Sequence, residues 1–346
     1  MKIAILTPTF SKFSGIDRVV ENQALELSKK GNDVNIYCLY GDIKLEDTKI
    51  KIHEIKKINN LLFERIYRLL FFLDIFTISK YSKNISYYDI VYSHFYPMNV
   101  IAYFAKKRNP KLKYIYYNHG VADPITFSKF HEKIYIKLIK ILNNKSIRNA
   151  DEVISISKYL RDVLKRETGK DSKVIYDKID KNRYNKNPAK LDIRKKYKIP
   201  KDSFIILYVG RLSPHKKVDL LIEYFKKFNK KYTNSYLIIV GKTTFQEYFK
   251  KLQELANKNV IFTGFVKDED LPDYYKGCNL YATCSIWEGF DLPIVEAEAC
   301  GKPSIAFNLC SHKEVLKNGD LIEYPDIEGE FIKSFEKYYL LNKSYA

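Results

Sequence analysis

Short apolar runs alternate with amphipathic stretches along most of the chain. Residues 2–8 (KIAILTP) are an apolar run closed by Pro8, which predicts a buried strand. A polar loop over 9–14 leads to Gly15. Beyond it Val19, Val20, Ala24, Leu25 and Leu27 recur at helical spacing until Gly31 and Asn32 stop the helix. Residues 34–39 predict the next strand, so the chain opens as a strand, Gly-containing loop, helix and strand of Rossmann type. Further strands are predicted at 89–94 (DIVYSH), 113–119 (KYIYYNH), 204–209 (FIILYV), 237–240, 260–266 (VIFTGFV) and 304–307. Alternation of this kind in both halves predicts an α/β protein of two Rossmann-like domains facing a central cleft. The expected domains are 1–187 and 188–346, and the polar, basic, proline-flanked stretch 186–201 is the expected linker.

Two stretches depart from this alternation. Residues 61–76 are the most apolar run, but Glu64, Arg65, Arg68 and Asp74 interrupt it, so it should not cross a bilayer. It suits a core helix or a helix in a membrane interface. Residues 127–148 interleave apolar Phe130, Ile134, Ile136, Leu138, Ile139, Ile141 and Leu142 with Lys129, Lys133, Lys137 and Lys140. Those lysines recur at three- and four-residue steps and share one face of a basic amphipathic helix.

Charge sharpens the picture. The 346 residues carry a formal net charge of +19. Residues 1–200 hold 40 Lys+Arg against 21 Asp+Glu, whereas 201–346 hold 20 of each. A basic first half points to an anionic partner, such as a membrane surface, an acidic glycan or a lipid phosphate. No zinc spacing or nucleic-acid recognition string accompanies it, so no nucleic acid is expected. The five cysteines form no CxxC, which favours a reduced, cytoplasmic setting. The apolar start, cut short by Thr7 and Pro8, is too brief for a secretory signal.

The stretch with the most chemistry is WEGFDLPIVEAEACGKP, residues 287–303. Glu288 lies in a loop. Leu292 and Pro293 open a helix, Glu296 falls about one turn inside it, and Gly301 and Pro303 close it. Free amides at that helix start are a natural cradle for phosphate. A second polar turn, GRLSPHKKVD at 210–219, follows a buried strand and precedes an amphipathic helix. Asp268, Glu269 and Asp270 look like a metal-binding DxD, but they precede a helix start, where acids complement the dipole. No metal site and no cofactor are expected, and the absence of GxGxxG argues against a nicotinamide cofactor.

The 288–303 stretch resembles the EX7E motif of GT4 glycosyltransferases, retaining enzymes with the GT-B fold, whose usual form is E-G-F-G-L-P-x-x-E-A-x-A-x-G-x-P. One glycine departs, as Asp291. The 210–219 turn is similar to the family's G-R-L-x-x-x-K-G-x-D, with Lys217 at the second glycine; ADEVISIS at 150–157 and the Asn118-His119-Gly120 strand end also match. At 174–180 the family's Asn-Gly is replaced by Asp177-Lys178, and at 14–15 the first glycine of a pair is replaced by Ser14. The resemblance implies a nucleotide sugar, UDP- or GDP-linked, as donor substrate and a glycan or lipid-linked acceptor. It implies that Glu296 holds the ribose and that Arg211 and Lys216 hold the diphosphate. It places the Gly15 backbone against the donor phosphate or the acceptor; the amides around Phe290, Asp291 and Leu292 cradle phosphate or sugar, and Val266 lies near the base. Glu288 and His119 contact the transferred sugar; His94, at another strand end, is a weaker candidate. A catalytic set of Glu288, His119, Lys216 and Arg211 follows. Asp291 puts a side chain where relatives have none and bears on sugar preference.

The basic first half favours an acceptor at a membrane surface, hence a cytoplasmic protein peripheral to the inner face of the cell membrane. A nucleotide-sugar epimerase or hydrolase on the same fold stays open, as does a non-catalytic relative or a basic membrane- or nucleic-acid-binding protein. The resemblance also implies a last helix returning to the first domain, and with Ala346 as the final residue either the chain is truncated or that crossing is reduced.

Overall fold

A computed structural model describes residues 1–11, 15–41, 45, 49–56, 61–121, 130–243, 245–327 and 329–344. The chain divides into two compact units, Met1–Lys178 and Ile179–Ala346. The first contains β1 (Lys2–Phe10), α1 (Gly15–Lys29), β2 (Asp33–Gly41), β3 (Lys51–Glu54), α2 (Leu61–Leu70), α3 (Ile75–Ile85) and β4 (Ile90–Ser93). It continues with α4 (Met98–Arg108), β5 (Lys113–Asn118), α5 (Phe130–Arg148), β6 (Glu152–Ser155), α6 (Lys158–Thr168) and β7 (Lys173–Val174). Its strands form one parallel seven-stranded sheet in the order β3-β2-β1-β4-β5-β6-β7.

The continuous apolar run of β1 is explained by burial on both faces, as parallel sheets require. Ala4 and Leu6 join a cluster with Val91, Ile101 and Tyr114, while Ile3 and Ile5 join a second cluster with Val20, Ala24 and Ile36. The short edge strand β3 (KIHE) carries no apolar run and went unpredicted.

The second unit contains α7 (Ile193–Lys196), β8 (Phe204–Val209), α8 (Val218–Lys231), β9 (Ser235–Val240), α9 (Gln246–Leu255), β10 (Val260–Gly264) and α10 (Leu271–Gly277). It ends with β11 (Leu280–Ala282), α11 (Leu292–Ala299), β12 (Ser304–Phe307), α12 (His312–Val315), β13 (Gly319–Ile322) and α13 (Glu330–Ser344). The sheet order is β10-β9-β8-β11-β12-β13, again all parallel. One aromatic-rich core, including Phe204, Phe225, Phe228, Phe307, Phe331 and Phe335, joins α8 and α13 to this sheet. The stretch expected as a linker belongs here. Asp273 of α10 accepts from the Lys190 and Leu191 amides, and Arg194 donates to the Gly277 and Ser203 carbonyls. A proline-flanked polar run looks linker-like because its hydrogen-bond partners are remote in sequence.

Three further expectations are corrected. The 61–76 run is not one core helix. Asp74 caps a new helix by accepting from the Thr77 amide at 3.0 Å, which breaks the run between α2 and α3. Phe63, Leu73, Ile75 and Phe76 are exposed, Phe76 at 91%, whereas Phe71 is buried. In α5 the expected apolar face is not the packed face. Ile139, Asn143, Ser146 and Ile147 face inward, where Asn99 of α4 donates to Asn143 at 2.8 Å and Ser146 donates to the Asn99 carbonyl at 3.0 Å. Phe130, Ile134 and Ile141 are therefore left outside with Lys133 and Lys137, while Lys140 turns to Glu167 at 2.7 Å. Phe127 and Lys129, expected on that helix, lie outside the described residues. Third, the excess of positive charge is shared. Unit 1 holds 32 Lys+Arg against 19 Asp+Glu and unit 2 holds 28 against 22. Among the described residues no helix is long and apolar enough to cross a membrane, and all five cysteines are unpaired.

Candidate active site

Each sheet reverses its strand order once, between β1 and β4 and between β8 and β11. Such a reversal opens a crevice at the carboxyl ends of the strands, where ligands bind in open α/β sheets. Arg211 and Lys216 follow β8, Glu288 follows β11, and His94 and His119 follow β4 and β5.

In the second unit β8 runs out at Val209 into Gly210 and Arg211. A Cβ on Gly241, at the end of β9, would lie 1.8 Å from the Gly210 carbonyl oxygen, so the two strand ends approach too closely for any side chain. Arg211 is exposed, and its carbonyl accepts from the buried Tyr208 hydroxyl at 3.2 Å. A 3₁₀ turn at Pro214–Lys216 carries Lys216 inward, and Lys217, with φ 48°, takes the left-handed turn into α8. The family has glycine at that position, and this backbone region explains why.

Lys216 forms a close ion pair with Glu288. Glu288 is 7% exposed, and its own carbonyl accepts from the buried Ser311 hydroxyl at 3.2 Å. Phe290 is buried, Asp291 is the left-handed residue before α11 (φ 65°), and half-buried Leu292 opens the helix with Pro293. Glu296 is 2% exposed and accepts from the Tyr275 hydroxyl at 2.7 Å. Burial, then the cations Lys216 and Arg211, push the His215 ring down to about 3, so it stays neutral at pH 7. Burial, then the Asp291, Glu288 and Glu296 carboxylates, hold the Tyr281 hydroxyl well above its usual range. Arg211, Lys216, Glu288, Asp291 and Glu296 are thus linked through the Lys216–Glu288 pair and two shared electrostatic neighbours, His215 and Tyr281. Val266 is buried past the end of edge strand β10, with β9 between it and the crevice strand β8.

The DxD-like acids form no cluster with these. Asp270 stands at the start of α10 without a capping bond from its side chain. Among the described residues Glu288, Asp291 and His312 form a group of acids and histidine with one ligand atom of each within 4.8 Å of the others. His312 lies 2.9 Å from Asp291 and 2.8 Å from the Phe307 carbonyl oxygen. Nothing in the sequence pattern singled it out.

In the first unit His94 and His119 follow the adjacent strands β4 and β5 and are both buried. Their rings stack with centroids 5.3 Å apart, and His94 Nδ1 lies 3.0 Å from His119 Nε2. Gln23 of α1 accepts from His94 Nε2 at 2.7 Å. With its Nε2 proton so used, His94 accepts at Nδ1, and His119 donates from Nε2. Burial drives both rings down in pKa, His94 well below the ordinary value and His119 to about 4, so both are neutral. Gly15 is exposed at the start of α1, and the preceding residues 12–14 lie outside the described residues. Asp17, two residues on, is fully buried and accepts from the Ser11 amide and hydroxyl at 3.0 and 2.9 Å, which pins the end of β1 to α1. Gln23 and Asp17 went unnoticed in the sequence, where a helical Gln and Asp look like surface residues.

The family model described as "Glycosyl transferases group 1" matches residues 189–345, and "Glycosyltransferase Family 4" matches 13–183. The chain is 27% identical over 270 residues to the putative glycosyltransferase YtcC of Bacillus subtilis, covering 73% of this chain and 61% of that one. It is 31% identical over 258 residues to an uncharacterized 41.2 kDa protein in the cps region of Klebsiella pneumoniae, covering 72% and 67%. It is 24% identical over 209 residues to O-antigen chain mannosyltransferase B of Escherichia coli, covering 58% and 55%. The alignments thus span between about half and two thirds of these curated relatives. Among solved structures, Anabaena HepE in complex with UDP and glucose superposes with a TM-score of 0.77 at 21% identity, covering 99% of this chain and 92% of that one. WaaG, a glycosyltransferase involved in lipopolysaccharide biosynthesis, gives 0.77 at 14% identity, covering 98% and 90%. With both halves matched by glycosyltransferase models and both sheets of the expected kind, the chain belongs to the GT4-type glycosyltransferases of GT-B fold.

Proposed function

We propose that the protein transfers a hexose-type sugar from a UDP- or GDP-linked donor to a glycan or lipid-linked acceptor, with retention at the anomeric carbon and without a metal. The observation that carries this reading is the grouping of Arg211, Lys216, Glu288 and Glu296 at the β8–β11 strand ends beside the start of α11. Departure of a nucleoside diphosphate builds negative charge on its leaving oxygen. Two fixed cations and free helix-end amides stabilise that charge in the role a metal plays elsewhere. Glu296 receives the ribose hydroxyls, and Glu288 receives the transferred sugar. The bond between the anomeric carbon and the phosphate oxygen breaks while the acceptor oxygen bonds to the same face of that carbon. The acceptor's proton passes to the leaving phosphate oxygen. HepE, as a structure with UDP and glucose, supports a uridine donor, and the mannosyltransferase relative supports mannose as the sugar.

A thermal-shift panel of UDP, GDP and their sugars, followed by product analysis with and without acceptor, tests the reading. Stabilisation by one nucleotide class and sugar transfer with retained configuration are expected. Hydrolysis or epimerisation alone in the presence of acceptors would replace transfer, and silence across the panel would end the proposal.

The same reading locates the enzyme at a cytoplasmic membrane face. Its support is the set of exposed Phe63, Leu73, Ile75 and Phe76 in one part of unit 1 and Phe130, Ile134 and Ile141 beside Lys133 and Lys137 in another. The Tyr96 hydroxyl donates to the Leu69 carbonyl at 2.8 Å, and the ring also lies within electrostatic reach of Tyr135, so the α2 end and α5 are neighbours. Aromatic and aliphatic side chains flanked by lysines suit an anionic lipid surface.

A further inference from the structure

Asp291 is at odds with its backbone. Its φ of 65° and ψ of 66° place it in the left-handed region, where a side chain costs about 1–2 kcal/mol and the family carries glycine. Its side chain is nonetheless drawn inward and is 2% exposed. Oδ2 lies 2.9 Å from Nε2 of His312, whose side chain is completely buried. The other ring nitrogen of His312 lies 2.8 Å from the Phe307 carbonyl oxygen. A carbonyl and a carboxylate oxygen are both acceptors, so each ring nitrogen carries a proton and the ring is an imidazolium. Glu288, within 4.8 Å of this pair, is matched by Lys216. Two acids and two cations thus alternate around the loop, and the second acid does not spoil the cradle for a diphosphate. Asp291 Oδ1 takes no hydrogen bond among the described residues.

We propose that Asp291 is a donor-specificity residue. Its Oδ1 accepts a hydrogen bond from a hydroxyl of the transferred sugar, beside the one Glu288 contacts, and His312 is the positioning residue that keeps the carboxylate aimed. This rests on the reading of the crevice as the nucleotide-sugar site. A carboxylate oxygen accepts and cannot donate. The site therefore favours a neutral hexose with a free hydroxyl at that point over a deoxy sugar, which leaves the oxygen unpaired, and over a uronate, which repels it.

The test compares Kd values for the nucleoside diphosphate alone and for its hexose and uronate derivatives. UDP, UDP-glucose, UDP-glucuronate, GDP and GDP-mannose serve as probes of wild type, Asp291→Gly, Asp291→Asn and His312→Gln. In Asp291→Gly the diphosphate alone is expected to lose far less affinity than the hexose donor, because helix and cations remain. Affinity for the hexose donor should fall tenfold or more, and discrimination against the uronate should shrink. His312→Gln should move the same ratios by a smaller factor, and the Asp291→Gly/His312→Gln double variant should be no worse than Asp291→Gly. If Asp291→Gly does not fold, Asp291→Asn, which keeps the shape and removes the charge, reads the same ratio. Equal loss for diphosphate and sugar nucleotide would reduce the pair to a structural role and overturn the proposal, as would unchanged hexose affinity. Stabilisation of wild type by Mn²⁺ alone, lost in His312→Gln, would overturn it by making the cluster a metal site. Absence of binding by wild type to UDP, GDP and all their sugars would sink the donor-site reading and this inference with it.

Discussion

Lys216 and Glu288 hold each other in a mostly dry crevice, with side chains 16% and 9% exposed. Removing one leaves the other buried without its counter-charge, so Lys216→Ala touches both the diphosphate and the loop that carries Glu288. A charge-assisted contact is worth roughly 1.5–3 kcal/mol, and kcat/KM is expected to fall by one to two decades, with Tm falling too. Wild-type turnover in this variant would remove Lys216 from the mechanism. Glu296 needs a gentler change, because Ala would also orphan the Tyr275 hydroxyl that donates to it. Glu296→Gln keeps an acceptor there while weakening the grip on the ribose. Donor KM should rise severalfold with Tm nearly unchanged, and an unaltered KM would contradict the ribose assignment. The neutral pair His94–His119 makes a claim about acid. Both rings have folded-state pKa values below the ordinary 6.5, His119 at about 4. The unfolded chain therefore binds more protons between those values, and stability falls as pH drops from about 6.5 toward 4. A His94→Gln variant escapes part of that penalty. Urea titrations at pH 7 and pH 5 should show the wild-type advantage shrinking at pH 5; an advantage that grows would reverse the sign.

At the level of elements, caps and left-handed residues decide where helices begin. Asp74 separates α3 from the apolar run before it. Burial opposes its ionisation, but the Thr77 amide and the Tyr67 and Thr77 hydroxyls hold its carboxyl down at about 2. Asp74→Ala should cost about 0.5–2 kcal/mol, the usual value of an N-cap, read as a lower urea midpoint. No loss would mean that packing of Ile78 and Ile85 alone fixes the start of α3. Among the described residues, Lys217 and Asp291 depart from a family glycine and still take the left-handed backbone. The departure at Lys217 adds a cation beside the crevice, and that at Asp291 adds an acid matched by His312.

On the scale of the molecule, unit 1 has the larger surplus of positive charge and also the exposed Phe63, Leu73, Ile75, Phe76 and Phe130. Sedimentation with vesicles should show binding to phosphatidylglycerol-containing membranes, weaker binding in high salt, and little to phosphatidylcholine alone. Phe76→Ser should weaken it further, since that side chain is almost wholly exposed. Equal recovery with neutral and anionic vesicles would contradict a charge-guided surface.

Much of this protein was fixed locally and so was legible in the string. Buried parallel strands show as unbroken apolar runs because both faces are covered. Helix stops show as glycine and proline because the backbone demands them. The crevice residues Arg211, Lys216, Glu288 and Glu296 stand out because a turn and a helix start after a strand bring them to one end of it. What only the tertiary structure decided are pairings across long sequence gaps. Gln23 with His94 and Asp291 with His312 are 71 and 21 positions apart, and no periodicity relates them. The outward apolar residues of α5 belong to the same class, since Asn143 and Ser146 meet Asn99 on its inner face beside buried Ile139 and Ile147. Protonation followed from those pairings too, because a histidine's charge is set by burial and by the acceptors that surround its two nitrogens.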